Sequence, residues 1–265
     1  MTTAIKLSAP ANGGFWEIPV LFEDEHLLAL DKPAGLLVSP DRNNPDRPSL
    51  MRLLHEGIAA GKPWAKQRNL TYLANAHRLD FETSGVLLLA KNKPALVALA
   101  NLFGSEKPLQ KYVVLAHGTP LEDRFEVGGK IAPHPVTPGK FHVDARRGKK
   151  AKTIFTALER FANCTLLRCE PVTARPHQIR VHLQNVGWPV VGDELYGGHP
   201  LLLSRLKPHF RLKPGKVERP LLAAATVHAE ELKLPHPVTG EPLTVTAPWP
   251  KDLTVAVKYL RLYAK

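Results

Sequence analysis

Cysteine is nearly missing from this sequence, with two residues in 265, Cys164 and Cys169. Five positions apart, they fit neither a C-x-x-C motif nor a disulfide framework, so free thiols in a reducing cytoplasm are expected. No run approaches the roughly 18–20 apolar residues of a membrane span. The opening MTTAIKLSAPANGG has no apolar stretch long enough for a signal peptide. Also missing are an HExxH pair, a Cys/His ligand set, a G-x-S-x-G elbow and a glycine-rich phosphate loop. The twelve histidines do not restore a metal reading. His177 and His182 stand about 140° apart on a helix and on opposite faces of a strand. A metal-dependent nuclease needs a carboxylate or histidine cluster that the sequence does not offer. Neither metal nor cofactor is expected, and no membrane association.

Acid is the other shortage. Lysine and arginine number 36 against 24 aspartates and glutamates, a formal charge of +12. The excess gathers in two segments. KFHVDARRGKKAK, residues 140–152, holds six basic residues and one acid, and RLKPHFRLKPGKVER, residues 205–219, holds the same numbers. Such clustering is the electrostatic footprint of a polyanion binder, with nucleic acid the favoured partner, and a monomer is the default expectation. Neither segment is an amphipathic helix, which argues against an acidic lipid surface.

Proline is plentiful at 25 residues, which favours turns and short strands over a helical bundle. Residues 1–14 are expected as a flexible tail and residues 15–265 as a single domain with no separate RNA-binding module upstream. A helix is expected in PSLMRLLHEGIAAG, with Ser49 as N-cap and Leu50, Leu53, Leu54 and Ile58 on one face. A second runs from about Pro94 to Phe103 and stops at Gly104. A third occupies ARPHQIRVHLQNVGWP, where Ile179, Leu183 and Val186 share a face, Pro176 suits the first position and Gly187 ends the run. KYVVLAHG, AKTIFTALERF and CTLLRCEP read as strands. Strands with about three helices and no regular βαβ alternation make the fold α+β, and no internal repeat is seen.

Asp80 stands out in ANAHRLDFETSGVLLLAKN, a carboxylate at the mouth of an apolar run. In a cleft it stays ionised only if cations or hydrogen-bond donors oppose its desolvation. Arg78 beside it and Arg180 on the later helix are the candidate cations. Taken alone, an aspartate there is better explained by a turn or a surface ion pair.

HRLDFETSG resembles the H-R-L-D-x-x-T-S-G signature of the RluA-type pseudouridine synthases. TARPHQIRVH is similar to that family's R-x-H-Q-I-R-x-H segment and KYVVLAHG to its lysine-tyrosine strand, with VGDELYGG and HPVTGEPL as two further matches in order. The likeness spans about Phe15 to Asp252. It implies an α+β domain with a central mixed or antiparallel sheet, flanking helices and a catalytic cleft. It also implies an isomerase that flips uridines out of structured RNA, transfer RNA or large-subunit ribosomal RNA, and rebuilds them as pseudouridine. By that resemblance Asp80 is the catalytic aspartate, Tyr112 packs against the target base and Arg180 pairs with Asp80. Arg78 fills or supports the gap the uridine leaves. Lys111, Arg175, His177, Arg146, Lys149 and Lys150 are the further RNA-binding candidates. Ala174 and Pro176 depart from the family pattern, which commonly has glycine and then threonine or serine. A non-catalytic RNA-binding protein on the same fold would be marked by loss of Asp80 or Arg180, and both are present.

Overall fold

The computed structural model describes residues 4–10, 13–41, 44–213 and 215–264. In chain order the strands and helices begin β1 (Ala4–Ala9), β2 (Gly14–Glu23), β3 (Leu27–Lys32), α1 (Leu50–Ala59), α2 (Pro63–Gln67), β4 (Ala74–Asn75), β5 (Ser84–Ala90) and α3 (Lys93–Gly104). They continue with β6 (Leu109–His117), β7 (Arg124–Pro133), β8 (Phe141–Val143), β9 (Lys149–Arg160), β10 (Cys164–Pro171) and α4 (Gln178–Asn185). β11 (Val227–Pro235), β12 (Pro242–Thr246) and α5 (Lys251–Tyr263) complete the α+β architecture. Contacts divide the chain into two compact units, Met1–Leu109 with Ala229–Pro248, and Gln110–His228 with Trp249–Lys265.

The first unit arranges its strands in the order β1-β2-β3-β5-β11, with β4 on β5 and β12 on β11. The pairings β1–β2, β2–β3, β3–β5, β4–β5 and β11–β12 are antiparallel. All seven residues of β5 are buried, which its uninterrupted apolar run requires of a strand covered on both faces. Leu87, Leu88 and Leu89 are wholly inaccessible, each contributing about 1.5–3 kcal/mol of burial. Leu27, Leu88, Leu99, Leu232 and Val245 form the core beneath α3. Within the stretch expected as a flexible tail, residues 4–9 are the strand β1. Ile5, Leu7 and Ala9 point inward by the period-two rule, a pattern that the small polar residues around it obscure.

The second unit orders its strands β6-β10-β9-β7-β8, and each of these pairings is antiparallel. α5 covers one core through Leu253, Ala256, Val257 and Leu260, packed with Val113, Leu115 and Leu166. α4 covers another through Ile179 and Leu183, packed with Val114, Phe155 and Leu167. The first helical position of α4 is not Pro176. His177 is its N-cap in the left-handed conformation, φ 53°, and the helix begins at Gln178. Pro176 therefore shapes the approach to the helix rather than its first turn. Both cysteines are free and buried, and burial pushes the Cys164 thiol up to about 12.

Candidate active site

The HRLDFETSG loop joins β4 to β5, and nearly every residue in it has a visible task. His77 is the anchor: its Nε2 accepts from the Leu88 amide at 3.0 Å, so a side chain serves a β5 donor. The ring stacks on Phe103 of α3 with centroids 4.4 Å apart. Desolvation of the ring pushes the imidazole down to about 4, which keeps it neutral and able to accept. Asn75 Nδ2 donates to the His77 carbonyl, and the Thr83 amide closes a turn onto the Asp80 carbonyl. Leu79 is buried, Arg78 is exposed and Asp80 is half-buried. The signature's glycine has a steric reason. At Gly85, φ is +106° and a Cβ would lie 2.2 Å from the Ala229 carbonyl oxygen, so no larger residue fits.

Lys32 underlies this loop. Its side chain is fully inaccessible, and Nζ donates to the carbonyls of Pro33 at 2.8 Å and Leu36 at 2.7 Å. Burial lowers its amine to about 7, opposed by the negative charges of Asp80 and then Glu82. Asp80 thus lies within the field of a buried cation that the resemblance had not singled out. Asp31, the residue before it, is raised to about 6 by burial. The loop is also held from its far side, where the Gly35 amide donates to the Phe81 carbonyl and the Arg47 guanidinium lies 3.9 Å above the Phe81 ring.

The second unit carries the other candidates. Tyr112, half-buried on β6, sits opposite Cys169 and donates its hydroxyl to Gln110 Oε1 at 2.6 Å. Lys111 precedes it on the same strand, also half-buried. α4 presents Arg180, whose guanidinium is expected opposite Asp80. Within this unit it is bound bidentately by Asp193, Nε to Oδ2 at 2.6 Å and Nη2 to Oδ1 at 2.8 Å, with both side chains almost wholly buried. Asp193 lies in the quoted VGDELYGG segment, but no sequence rule had paired it with Arg180.

Tyr196 from that segment forms the floor of the arrangement. Its ring lies 4.9 Å from the Arg180 guanidinium carbon. Its hydroxyl accepts from the Phe141 amide at 2.9 Å and meets His177 Nδ1 at 2.8 Å. Gln178 ties the helix start to β9 through the Lys152 carbonyl and Thr153 Oγ1, both at 2.9 Å. His182 Nδ1 meets the same hydroxyl, and burial pushes this imidazole down to about 4.

The basic candidates divide by environment. Arg175 is half-buried, and its Nε donates to the Lys150 carbonyl at 3.0 Å and so also pins the loop before α4. Arg146, Lys149 and Lys150 are exposed around the turn from β8 to β9. There Asp144 Oδ1 accepts from the amides of Arg146 and Arg147 at 2.8 and 3.1 Å, and these bonds lower its carboxyl. The carboxylate is spent on the turn and the arginines stay displayed. Among the described residues no group of three or more His, Cys, Asp or Glu side chains is arranged to hold a metal ion. None of the described helices is long and apolar enough to cross a membrane.

Residues 26–185 match the family model described as RNA pseudouridylate synthase. The chain belongs to that family. The synthases of this family are isomerases that act on RNA uridines. It is 35% identical over 244 residues to the ribosomal large subunit pseudouridine synthase D of Nitrosomonas europaea, covering 92% of this chain and 65% of that protein. It is 35% identical over 250 residues to the ribosomal large subunit pseudouridine synthase C of Escherichia coli K12, covering 91% and 70%. The chain therefore spans about two thirds of the length of these relatives. The fold is shared with human RNA pseudouridylate synthase domain containing 4, with TM-score 0.67, 23% identity, and 91% and 92% of the two chains covered.

Proposed function

We propose that this member isomerises uridine to pseudouridine in large-subunit ribosomal RNA, with Asp80 as the carboxylate that acts on the target nucleotide. The observation that carries the reading is the loop around Asp80. The His77 hydrogen bond, the Thr83 turn and the Gly85 close approach fix its backbone, and its charge acts on the buried Lys32 amine, opposing the lowering that burial causes. Two relatives named for the large ribosomal subunit support that choice of RNA.

The reaction breaks the bond between the sugar and ring nitrogen 1, turns the uracil and joins the sugar to carbon 5. Carbon 5 releases a proton and nitrogen 1 takes one up, so the net change is an isomerisation without oxidation. A carboxylate at the sugar and uracil serves as nucleophile or base. The uridine leaves its stack first, at a cost of a few kcal/mol. By the resemblance, Tyr112 packs against the flipped base, Arg180 is the active-site arginine, held in its own unit by Asp193, and Arg78 supports the gap in the RNA. Lys111, Arg146, Lys149 and Lys150 hold phosphates, with Arg175 and His177 shaping the entrance to α4. The enzyme works as a monomer in the cytoplasm, a compartment that its two buried free thiols suit.

The test uses the carbon-5 hydrogen. Unmodified large-subunit ribosomal and transfer RNA transcripts carry tritium at uracil carbon 5. Wild type is expected to release it from the ribosomal transcript and Asp80→Asn to release at least about a thousandfold less. Undiminished release by Asp80→Asn would remove Asp80 from the chemistry. Release confined to transfer RNA would move the substrate.

A further inference from the structure

The segment from Leu202 to Pro220 contains a short duplication, Arg205-Leu206-Lys207-Pro208 followed by Arg211-Leu212-Lys213-Pro214. This corrects the expectation of no internal repeat, since a four-residue unit is too short to register as a structural repeat. The described parts, residues 202–213 and 215–220, form no strand or α-helix and include one short 3-10 turn, Leu203–Arg205. The base is nevertheless closed. The Leu201 amide donates to the Leu222 carbonyl at 3.0 Å, and the Leu221 amide donates to the Leu201 carbonyl at 2.7 Å. Leu201, Leu206 and Leu221 pack against the α5 core with buried Leu222.

This anchoring leaves the cations outside. Arg205, Lys207, Arg211, Lys213, Lys216 and Arg219 are all exposed. The segment's one carboxylate, Glu218, accepts from the Ser204 amide at 2.8 Å, and bonds from the Ser204 hydroxyl first and this amide second lower its carboxyl. None of the six forms an ion pair among the described residues. Elsewhere the basic side chains often do: Arg68 and Lys91 with Glu23, Lys152 with Glu126, Arg160 with Asp123 and Arg261 with Glu159. Six unneutralised cations on a loop that is clamped only at its base and at Leu206 make a polyanion grip rather than a folding device.

We propose that residues 205–213 and 215–219 grip the phosphate backbone of the RNA substrate, through charge and without reading bases. The claim rests on the RNA reading above and adds a contact region to those already assigned there. A polyphosphate-like surface, not a base pocket, is the partner this chemistry selects: the segment offers arginine and lysine with a single partly buried aromatic, Phe210.

The test compares two triple variants of equal charge change. Arg211→Ser/Lys213→Ser/Lys216→Ser removes grip cations, and Lys66→Ser/Lys93→Ser/Lys258→Ser removes exposed lysines elsewhere. Affinity for an unmodified large-subunit ribosomal transcript is measured against salt concentration. The grip variant is expected to flatten the slope of log affinity on log salt by about two to three, at ~0.7–0.9 per lost phosphate contact, and the control by less than one. Its KM in the tritium assay rises several-fold. Equal slopes in the two variants, or no RNA binding by wild type, would overturn the proposal. Tritium release by wild type alongside equal slopes fails the grip alone. A flattened slope without tritium release from any transcript fails the isomerase reading and leaves the grip standing. Greater loss of binding to an acidic protein than to RNA would assign the segment to a different partner and overturn it.

Discussion

Neither Arg180 nor Asp193 has appreciable access to water, so each depends on the other to stay charged at low cost. The expected consequence is asymmetric. Asp193→Ala removes the bidentate partner of a buried guanidinium and is expected to cost about 3–5 kcal/mol, read from urea midpoints. Arg180→Lys keeps the charge but loses the two-point geometry, and is expected to fall between that variant and wild type. A loss below about 1 kcal/mol in Asp193→Ala would show that the pair is not the support the distances imply. The sequence allowed Arg180 to be singled out by its motif, but its bidentate partner arises from tertiary placement alone. Local spacing holds no trace that residues 180 and 193 meet, nor that Lys32 lies in the field of Asp80. Asp80, in contrast, was singled out through the resemblance, which a contiguous string of nine residues carries.

Two helix starts show how far such local rules reach. Ser49 was expected to cap α1 and does occupy the N-cap, yet its hydroxyl makes no cap bond and is buried without a partner among the described residues. Asn92 does cap α3, accepting from the Ala95 amide at 2.9 Å. Asn92→Ala is therefore expected to cost about 1 kcal/mol and Ser49→Ala within ~0.5 kcal/mol of nothing, or to stabilise. Thermal unfolding of the two variants checks this, and equal losses would refute it. The strands β6, β9 and β10 and the helices α1, α3 and α4 could be read from periodicity and turn residues. α5 has the spacing Leu253, Ala256, Val257, Leu260 and was open to the same reading, but the proline-rich approach drew attention to strands. β7 hides behind Gly128 and Gly129, and β1 behind a short alternation too weak to outweigh a polar tail.

Across the whole molecule, acid should be more damaging than the net charge alone suggests. His77 in one unit and His182 in the other are both lowered to about 4 by burial. Between there and the unfolded value near 6.5, the unfolded chain binds protons that the folded chain refuses. Their stabilisation is complete above about pH 6.5 and is lost as pH falls toward 4, on the order of 3 kcal/mol for His77. Asp31, raised to about 6, has the opposite sign and offsets part of this in the first unit. Urea midpoints are expected to fall between pH 6.5 and 4, with a shallower fall in His182→Gln; an identical fall in the variant would contradict the assignment.

The first unit is also discontinuous in sequence, since Leu232, Leu234, Val245 and Ala247 complete the core begun by Leu27 and Leu88. A ribosome making this protein must add residues 110–228, the intervening part of the second unit, before those side chains exist. At about 5–20 residues per second that interval lasts on the order of ten seconds. Throughout it β5, the most apolar strand, waits without the segment that closes its core. A nascent chain of this design has reason to depend on chaperones until that segment arrives.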